Sequence, residues 1–298
     1  MAAVESVHID PYSPAEMAER ASFVGVGKAQ LDFLSTFTLA VLAGAFIGLG
    51  AELATIVGTE PGTGYGVTRL LMGAAFSLGL ILVVIAGAEL FTGNTLIVMA
   101  WAGARVTTGG LLRNWLIVYL GNFVGSVGTV LFVYFGQVWS FDGGKVGVTA
   151  LNIANNKSSL GFVQAFALGV LCNALVCLAV WICFSARSTT DKILAIIPPI
   201  TAFVASGFEH SVANMYFIPM GLLLRNEPSV IEAATKAANG AAPNLTNLTL
   251  TGFLWNNLVP VTLGNIVGGA LLVGGVYWLV YLRAGNRATW LGGRPEIR

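Results

Sequence analysis

The chain has 298 residues, 56% of them hydrophobic and only 10% charged, with a net charge of +1. An ordinary soluble domain is roughly 25% charged, so this balance excludes a water-soluble enzyme. The 15 Lys and Arg are spread along the chain, which excludes a nucleic-acid binder, since phosphate binding needs a concentrated basic face.

In chain order, the stretch 1–32 carries Glu5, Asp10, Glu16, Glu19 and Arg20 before any apolar run. It lacks the basic leader and short apolar core of a cleaved signal peptide. The first hydrophobic segment is therefore expected to stay as a membrane helix. Apolar residues at helical spacing over 13–33 make the stretch amphipathic.

A spanning helix needs about 20 mostly apolar residues. Six regions qualify: 33–57, 70–101, 114–135, 162–184, 193–224 and 253–281. The second and fifth are longer than a simple span, and each holds a Gly and polar cluster in its middle, over 87–94 and 207–214. Both clusters read Gly-x-Glu-x4-Asn, 120 residues apart from Glu89 to Glu209. The third and sixth regions correspond too, Leu-Gly-Asn-Phe-Val-Gly at 120–125 against Leu-Gly-Asn-Ile-Val-Gly at 263–268, with Asn114 and Asn257 in the same register. The first and fourth correspond more weakly, at 39–42 and 168–171.

This is a tandem three-segment repeat, 33–140 and 160–285, in a single transmembrane domain with a tail at 286–298. Each copy crosses the membrane an odd number of times, so the second is inverted relative to the first. Segments two and five are expected to be broken near the midplane, where non-helical backbone is tolerated only when it is buried in protein or lines a cavity. The fold class is an all-α membrane protein of six transmembrane helices in two inverted repeats. With both termini cytoplasmic, ten of the 15 Lys and Arg fall on the inner side, as the positive-inside rule favours.

Inside the apolar regions the ionisable groups are few: Glu52, Glu89, Glu209 and His210. Such groups at membrane depth are costly and mark function by default. Glu52 lies near a segment end and reads as a solvated boundary residue. Glu89 reads as structural, its carboxylate tying down the N–H groups freed by a helix break. His210 has no counterpart in the first repeat, where Leu90 stands. Asymmetry at a symmetric place points to a task beyond folding.

With only His8 elsewhere, there is no second histidine for a bis-His haem and no cluster for a metal. No cofactor is expected. Cys172, Cys177 and Cys183 share one apolar stretch and read as packing, without a disulfide. Phe76 and Leu80 before the first break and Phe203 before the second are candidate pore liners. Lys157, at the outer mouth of the fourth segment, is either a lure for anions or an interfacial charge. The Asn-Leu-Thr sequons at Asn244 and Asn247 are uninformative without a known host.

The runs 76–82, 91–92, 203–214 and 260–269, above all Phe-Glu-His-Ser-Val-Ala-Asn at 208–214, resemble the formate/nitrite transporter family, and its formate-channel branch most closely. The likeness extends from about 13 to 283. It implies an aquaporin-like protomer in a homopentamer, in the inner membrane of a bacterium, with one pore per subunit and formate and similar small anions as substrates. Two constrictions are implied, at Leu80 with the loop near Phe91 and Thr92, and at Phe76 with Phe203. The central histidine matches His210, the glutamate before it Glu209, the outer lysine Lys157 and the pore asparagines Asn173 and Asn265.

A bare anion pays a large desolvation cost in a dry constriction. In the mechanism this suggests, Lys157 gathers the anion and His210 donates a proton, so that formate crosses as formic acid. An ordinary imidazole pKa of about 6.5 suits such a relay, with Glu209 orienting or reprotonating the ring. A nitrite or hydrosulfide channel is the alternative. The Asn-Pro-Ala loops of a water or glycerol channel are absent from the sequence, as is a nucleophile with a base in reach.

Overall fold

A computed structural model of the chain describes residues 11–59 and 62–283; the tail at 286–298 and His8 lie outside the described residues. The described chain is helical: α1 (Pro14–Gln30), α2 (Phe33–Val57), α3 (Tyr65–Ala86), α4 (Phe91–Ala102), α5 (Thr108–Phe135), α6 (Lys145–Ser158), α7 (Phe162–Ser185), α8 (Thr189–Ala205), α9 (Ser211–Leu224), α10 (Pro228–Ala237) and α11 (Gly252–Leu282). Helices α2, α3, α5, α7 and α11 are each long and apolar enough to cross a membrane.

Local sequence sets the ends. Ser13 and Glu16 close a capping box on α1 with Pro14 in its first turn, Ser188 and Asp191 do the same for α8, and Asp32 and Thr107 cap α2 and α5. Asp32 and Asp191 lie outside the apolar spans, and the Ser35 and Ser188 hydrogen bonds hold their carboxyls below the usual carboxylate range.

Several helices start earlier than the hydropathy reading places them. α3 begins at Tyr65 rather than 70 and α5 at Thr108 rather than 114, in α5 because a first turn capped by Thr107 extends the helix beyond its hydrophobic part. The longest connections also hold helices of their own, α6 and α10.

Region 70–101 contains two helices. α3 ends at Ala86, Gly87 takes φ +80°, and α4 starts at Phe91. Region 193–224 does likewise, with α8 ending at Ala205, Gly207 at φ +74° and α9 starting at Ser211. Glycine closes both helices because the left-handed conformation costs it nothing. The gaps, four residues at 87–90 and five at 206–210, are each stitched to the preceding segment: Glu89 N–H donates to Leu39 O and Glu209 N–H to Leu168 O, at 3.2 and 3.3 Å.

The repeated Leu-Gly-Asn-x-Val-Gly motif explains how α5 lies on α2 and α11 on α7. A Cβ on Gly125 would sit 1.9 Å from Val41 O, and one on Gly268 2.2 Å from Val170 O. Only glycine permits these backbone contacts, the small-residue packing that substitutes in lipid for a hydrophobic driving force. Large apolar side chains such as Phe132, Phe135, Val163 and Leu271 face outward around the bundle.

Glu52 departs from its reading as a solvated boundary residue. The Tyr216 hydroxyl donates to its Oε2, and its Oε1 is buried without a partner among the described residues. Sequence distance hid the partner, 164 residues away. Tyr216→Phe leaves both carboxylate oxygens unsatisfied and should cost about 1–3 kcal/mol, read as a lowered Tm in detergent. A Tm unchanged within error would mean the pair contributes nothing.

Candidate functional site

The two gaps carry the same hydrogen-bond network twice. In the first, Lys28 Nζ donates to Glu89 Oε1 at 2.5 Å and Asn94 Nδ2 to Glu89 Oε2 at 2.6 Å. Asn94 Nδ2 also meets Asn114 Oδ1 at 3.0 Å, and Asn114 Nδ2 donates to Lys28 O at 3.1 Å. In the second, Lys157, Glu209, Asn214 and Asn257 repeat those four bonds at 2.7, 2.7, 2.6 and 3.0 Å. Asn257 Nδ2 adds a bond of 3.0 Å to Glu209 Oε2.

A further asparagine braces each gap. Asn122 Oδ1 accepts from Phe91 N–H at 2.8 Å while its amide donates to Ala40 O and Glu89 O. Asn265 accepts from Ser211 N–H at 2.9 Å and donates to Gly169 O and Glu209 O.

This corrects the role read for Glu89. The freed backbone N–H groups are met by asparagine amides, and the glutamates hold a lysine and two amides instead. The reason is valence: a gap exposes donors and acceptors together, a side-chain amide offers both, and a carboxylate only accepts. Lys28 escaped sequence reading because it lies 61 residues before its glutamate and outside the apolar regions, although the weak correspondence of 39–42 with 168–171, 129 residues apart, also relates it to Lys157.

Two cavities open at opposite ends of α3. One, of about 410 Å³, is lined by Arg69, Phe76, Lys157, Phe203, Glu209 and His210 among others. The other, of about 580 Å³, is lined by Lys28, Leu80, Glu89, Leu90 and Lys192 among others, beneath α1. Phe76 belongs to the first wall and Leu80 to the second, one helical turn or about 6 Å apart. The partition between the cavities is thus thin. Phe76 and Phe203 meet edge to face with ring centroids 5.6 Å apart, and Phe203 stacks on the His210 ring at 5.9 Å.

His210 is buried, and both ring nitrogens are engaged. Nδ1 accepts from Ala213 N–H at 3.0 Å, making His210 the N-cap of α9, and Nε2 lies 3.0 Å from Thr92 Oγ1. Since Nδ1 accepts, the neutral ring carries its proton on Nε2 and donates to Thr92. The Glu209 carboxylate is bound by Lys157, Asn214 and Asn257 and makes no hydrogen bond to the ring among the described residues.

The other predicted residues separate into liners and braces. Phe91 packs on Tyr119 and Trp115, at 4.9 and 6.2 Å between centroids, and lines neither cavity. Asn173 donates to Thr92 O, Thr95 Oγ1 and Asn265 O, holding α4 to α11, and like Asn265 it is spent on backbone and scaffold. Lys157 sits in the last turn of α6 with its ammonium 5.4 Å from the Phe217 ring centroid. The three cysteines are buried free thiols, and among the described residues no group of His, Cys, Asp and Glu is placed to hold a metal.

Residues 15–279 match the sequence profile of the formate/nitrite transporter family. The chain belongs to that family. Its relatives are channels and transporters rather than enzymes. It is 46% identical over 272 residues to the formate channel FocA of Escherichia coli K12, covering 91% of this chain and 94% of that one. It is 42% identical over 275 residues to the formate channel FocA of Haemophilus influenzae, with the same coverage. A solved structure described as a pentameric formate channel with formate bound superposes with a TM-score of 0.77 at 46% identity, over 84% of this chain and 98% of the other.

Proposed function

We propose that this protein is a transmembrane channel for formate and related small monovalent anions, working as a homopentamer with one pore in each protomer. The observation that carries this reading is a pair of cavities at opposite ends of α3, each with a Lys–Glu pair in its wall, and with Phe76, Phe203, Leu80 and a buried His210–Thr92 pair near their partition. A dry ring beside a hydrogen-bonding pair suits a small anion that crosses in neutral form. The likeness to formate channels supplies the substrate and the assembly.

In this reading 33–140 and 160–285 are inverted repeats of three crossings each, in a single channel domain. Segment two is α3 with α4 and segment five is α8 with α9, both interrupted. The duplicated network supports the two-fold relation. The termini face the cytoplasm of a bacterial inner membrane, as the excess of Lys and Arg there supports, and the Lys28 cavity opens inward beneath α1. Lys157 places an ammonium in the outer cavity wall. His210 serves as the proton relay, with Thr92 as its partner. Glu209 acts on the ring through the backbone turn it anchors, which supports an orienting role over a direct reprotonating one. Phe76 with Phe203 forms the outer constriction, and Leu80 with the Phe91–Thr92 turn the inner one.

The test is proton and formate flux measured together in liposomes carrying the purified protein, across pH 5 to 8, with nitrite as competitor. Formate flux with co-moving protons, weakened by nitrite, is expected. Flux without protons would make this a plain anion pore, and nitrite or hydrosulfide flux far above formate would move the substrate to the alternative.

A further inference from the structure

The Lys157 cavity has two cations in its wall, Arg69 and Lys157, against a single described carboxylate, Glu209. The Lys157 ammonium lies 2.7 Å from that carboxylate. At such a distance the two charges cancel for an ion approaching from further away, since a contact pair acts outside itself only as a dipole. Lys157 therefore does little as a long-range lure while the pair is closed.

Arg69 is placed differently. Its Nη2 donates to Val204 O at 2.5 Å and its Nε to Ala205 O at 3.2 Å. Both acceptors are neutral carbonyls in the last turn of α8, where a helix favours a cation but supplies no full opposing charge. The guanidinium cannot lose its proton, and these bonds use two of its five N–H donors. It is pinned and half-buried in the cavity wall. It also touches the turn that leads to the site, for a Cβ on Gly207 would lie 3.4 Å from Nη2.

We propose that Arg69 is the anion-attracting residue of this cavity, drawing small monovalent anions from bulk water to the Phe76–Phe203 partition, while Lys157 serves chiefly to hold Glu209. The proposal rests on the channel reading above. It divides two jobs that one lysine was expected to do: Arg69 supplies the net charge, and the Lys157–Glu209 pair shapes the turn before His210.

Electrostatic attraction is recognised by its response to salt. Steering by one exposed charge raises capture severalfold, and screening removes it as the Debye length falls from about 30 Å at 0.01 M to about 3 Å at 1 M. The experiment is initial formate uptake into liposomes carrying the full-length protein, at those two ionic strengths set with an impermeant gluconate salt. Wild type is compared with Arg69→Gln and Arg69→Lys. Arg69→Gln is expected to raise the KM about fivefold to tenfold at 0.01 M, with the gap closing toward unity at 1 M and kcat within about twofold. Arg69→Lys keeps the charge and should keep the wild-type salt slope.

A wild-type KM for Arg69→Gln at low salt would overturn the proposal, as would a raised KM that salt does not change, which is the mark of a helix cap only. Should Arg69→Gln fail to assemble, a folded Arg69→Lys that has lost the salt slope overturns it equally, and one that keeps the slope supports it. Wild-type liposomes that pass no formate, nitrite or hydrosulfide at either salt would instead sink the channel reading itself.

Discussion

Glu209→Ala should destabilise the protein more than Lys157→Ala, by about 3–5 kcal/mol against about 1–3 kcal/mol. The asymmetry follows from how each charge is held. Glu209 is the centre of its network: its carboxylate takes the Lys157 ammonium and the amides of Asn214 and Asn257, and its side chain is 5% exposed. Deleting it leaves an unpaired ammonium and strips a bond from each amide. Removing Lys157 leaves the carboxylate two amide donors. The Lys157 side chain is also 17% exposed and borders a cavity, so water reaches the ammonium and holds the Glu209→Ala cost toward the lower figure.

The first network sharpens the comparison. Lys28 is 27% exposed while Glu89 is 5% exposed, so Glu89→Ala should cost less than Glu209→Ala. Thermal unfolding of the purified variants in detergent, followed by circular dichroism, ranks the three. Lys157→Ala melting at or below Glu209→Ala would mean that the lysine, rather than the glutamate, organises the network.

These networks also mark where sequence reading reached and where it stopped. The Gly-x-Glu-x4-Asn pair and the Leu-Gly-Asn-x-Val-Gly pair lay open to inspection, because duplicated chemistry at a constant register is visible without coordinates. They fall where α3 and α8 end and where α5 and α11 pack closest. Lys28 and Lys157 were not read as a pair, since the correspondence that relates them, 39–42 with 168–171, is weak and both lie outside the apolar regions. Helix α6 itself was invisible to a search for long apolar runs, being short and polar on one side. Arg69 was not singled out, for nothing in a sequence shows that its acceptors are carbonyls 135 and 136 residues away. Glu52 was judged by its distance from a segment end, although burial beside Tyr216 decides its state.

His210→Asn and His210→Phe should separate the two tasks of the histidine, and both should abolish proton co-movement with formate. In the structure Nδ1 is committed to Ala213 N–H as the cap of α9 and Nε2 to Thr92. A second proton can enter only at Nδ1, and there it displaces the cap bond. Proton loading and helix capping therefore compete for one lone pair, which gives a relay a built-in route back to the neutral ring. Asparagine is a strong N-cap residue and can accept the same N–H, but it carries no titrating nitrogen. Phenylalanine offers neither function.

His210→Asn should thus melt within about 0.5 kcal/mol of wild type, and His210→Phe about 1 kcal/mol below it, the usual cost of a lost cap. Formate flux at neutral pH should fall about 100-fold in both, the lower range for loss of a positioned proton donor. Flux and proton movement recorded together in liposomes, beside melting curves of the same preparations, check each part. If His210→Asn still carried protons with formate, the ring would be a cap and a wall, and the proton would have to travel by water.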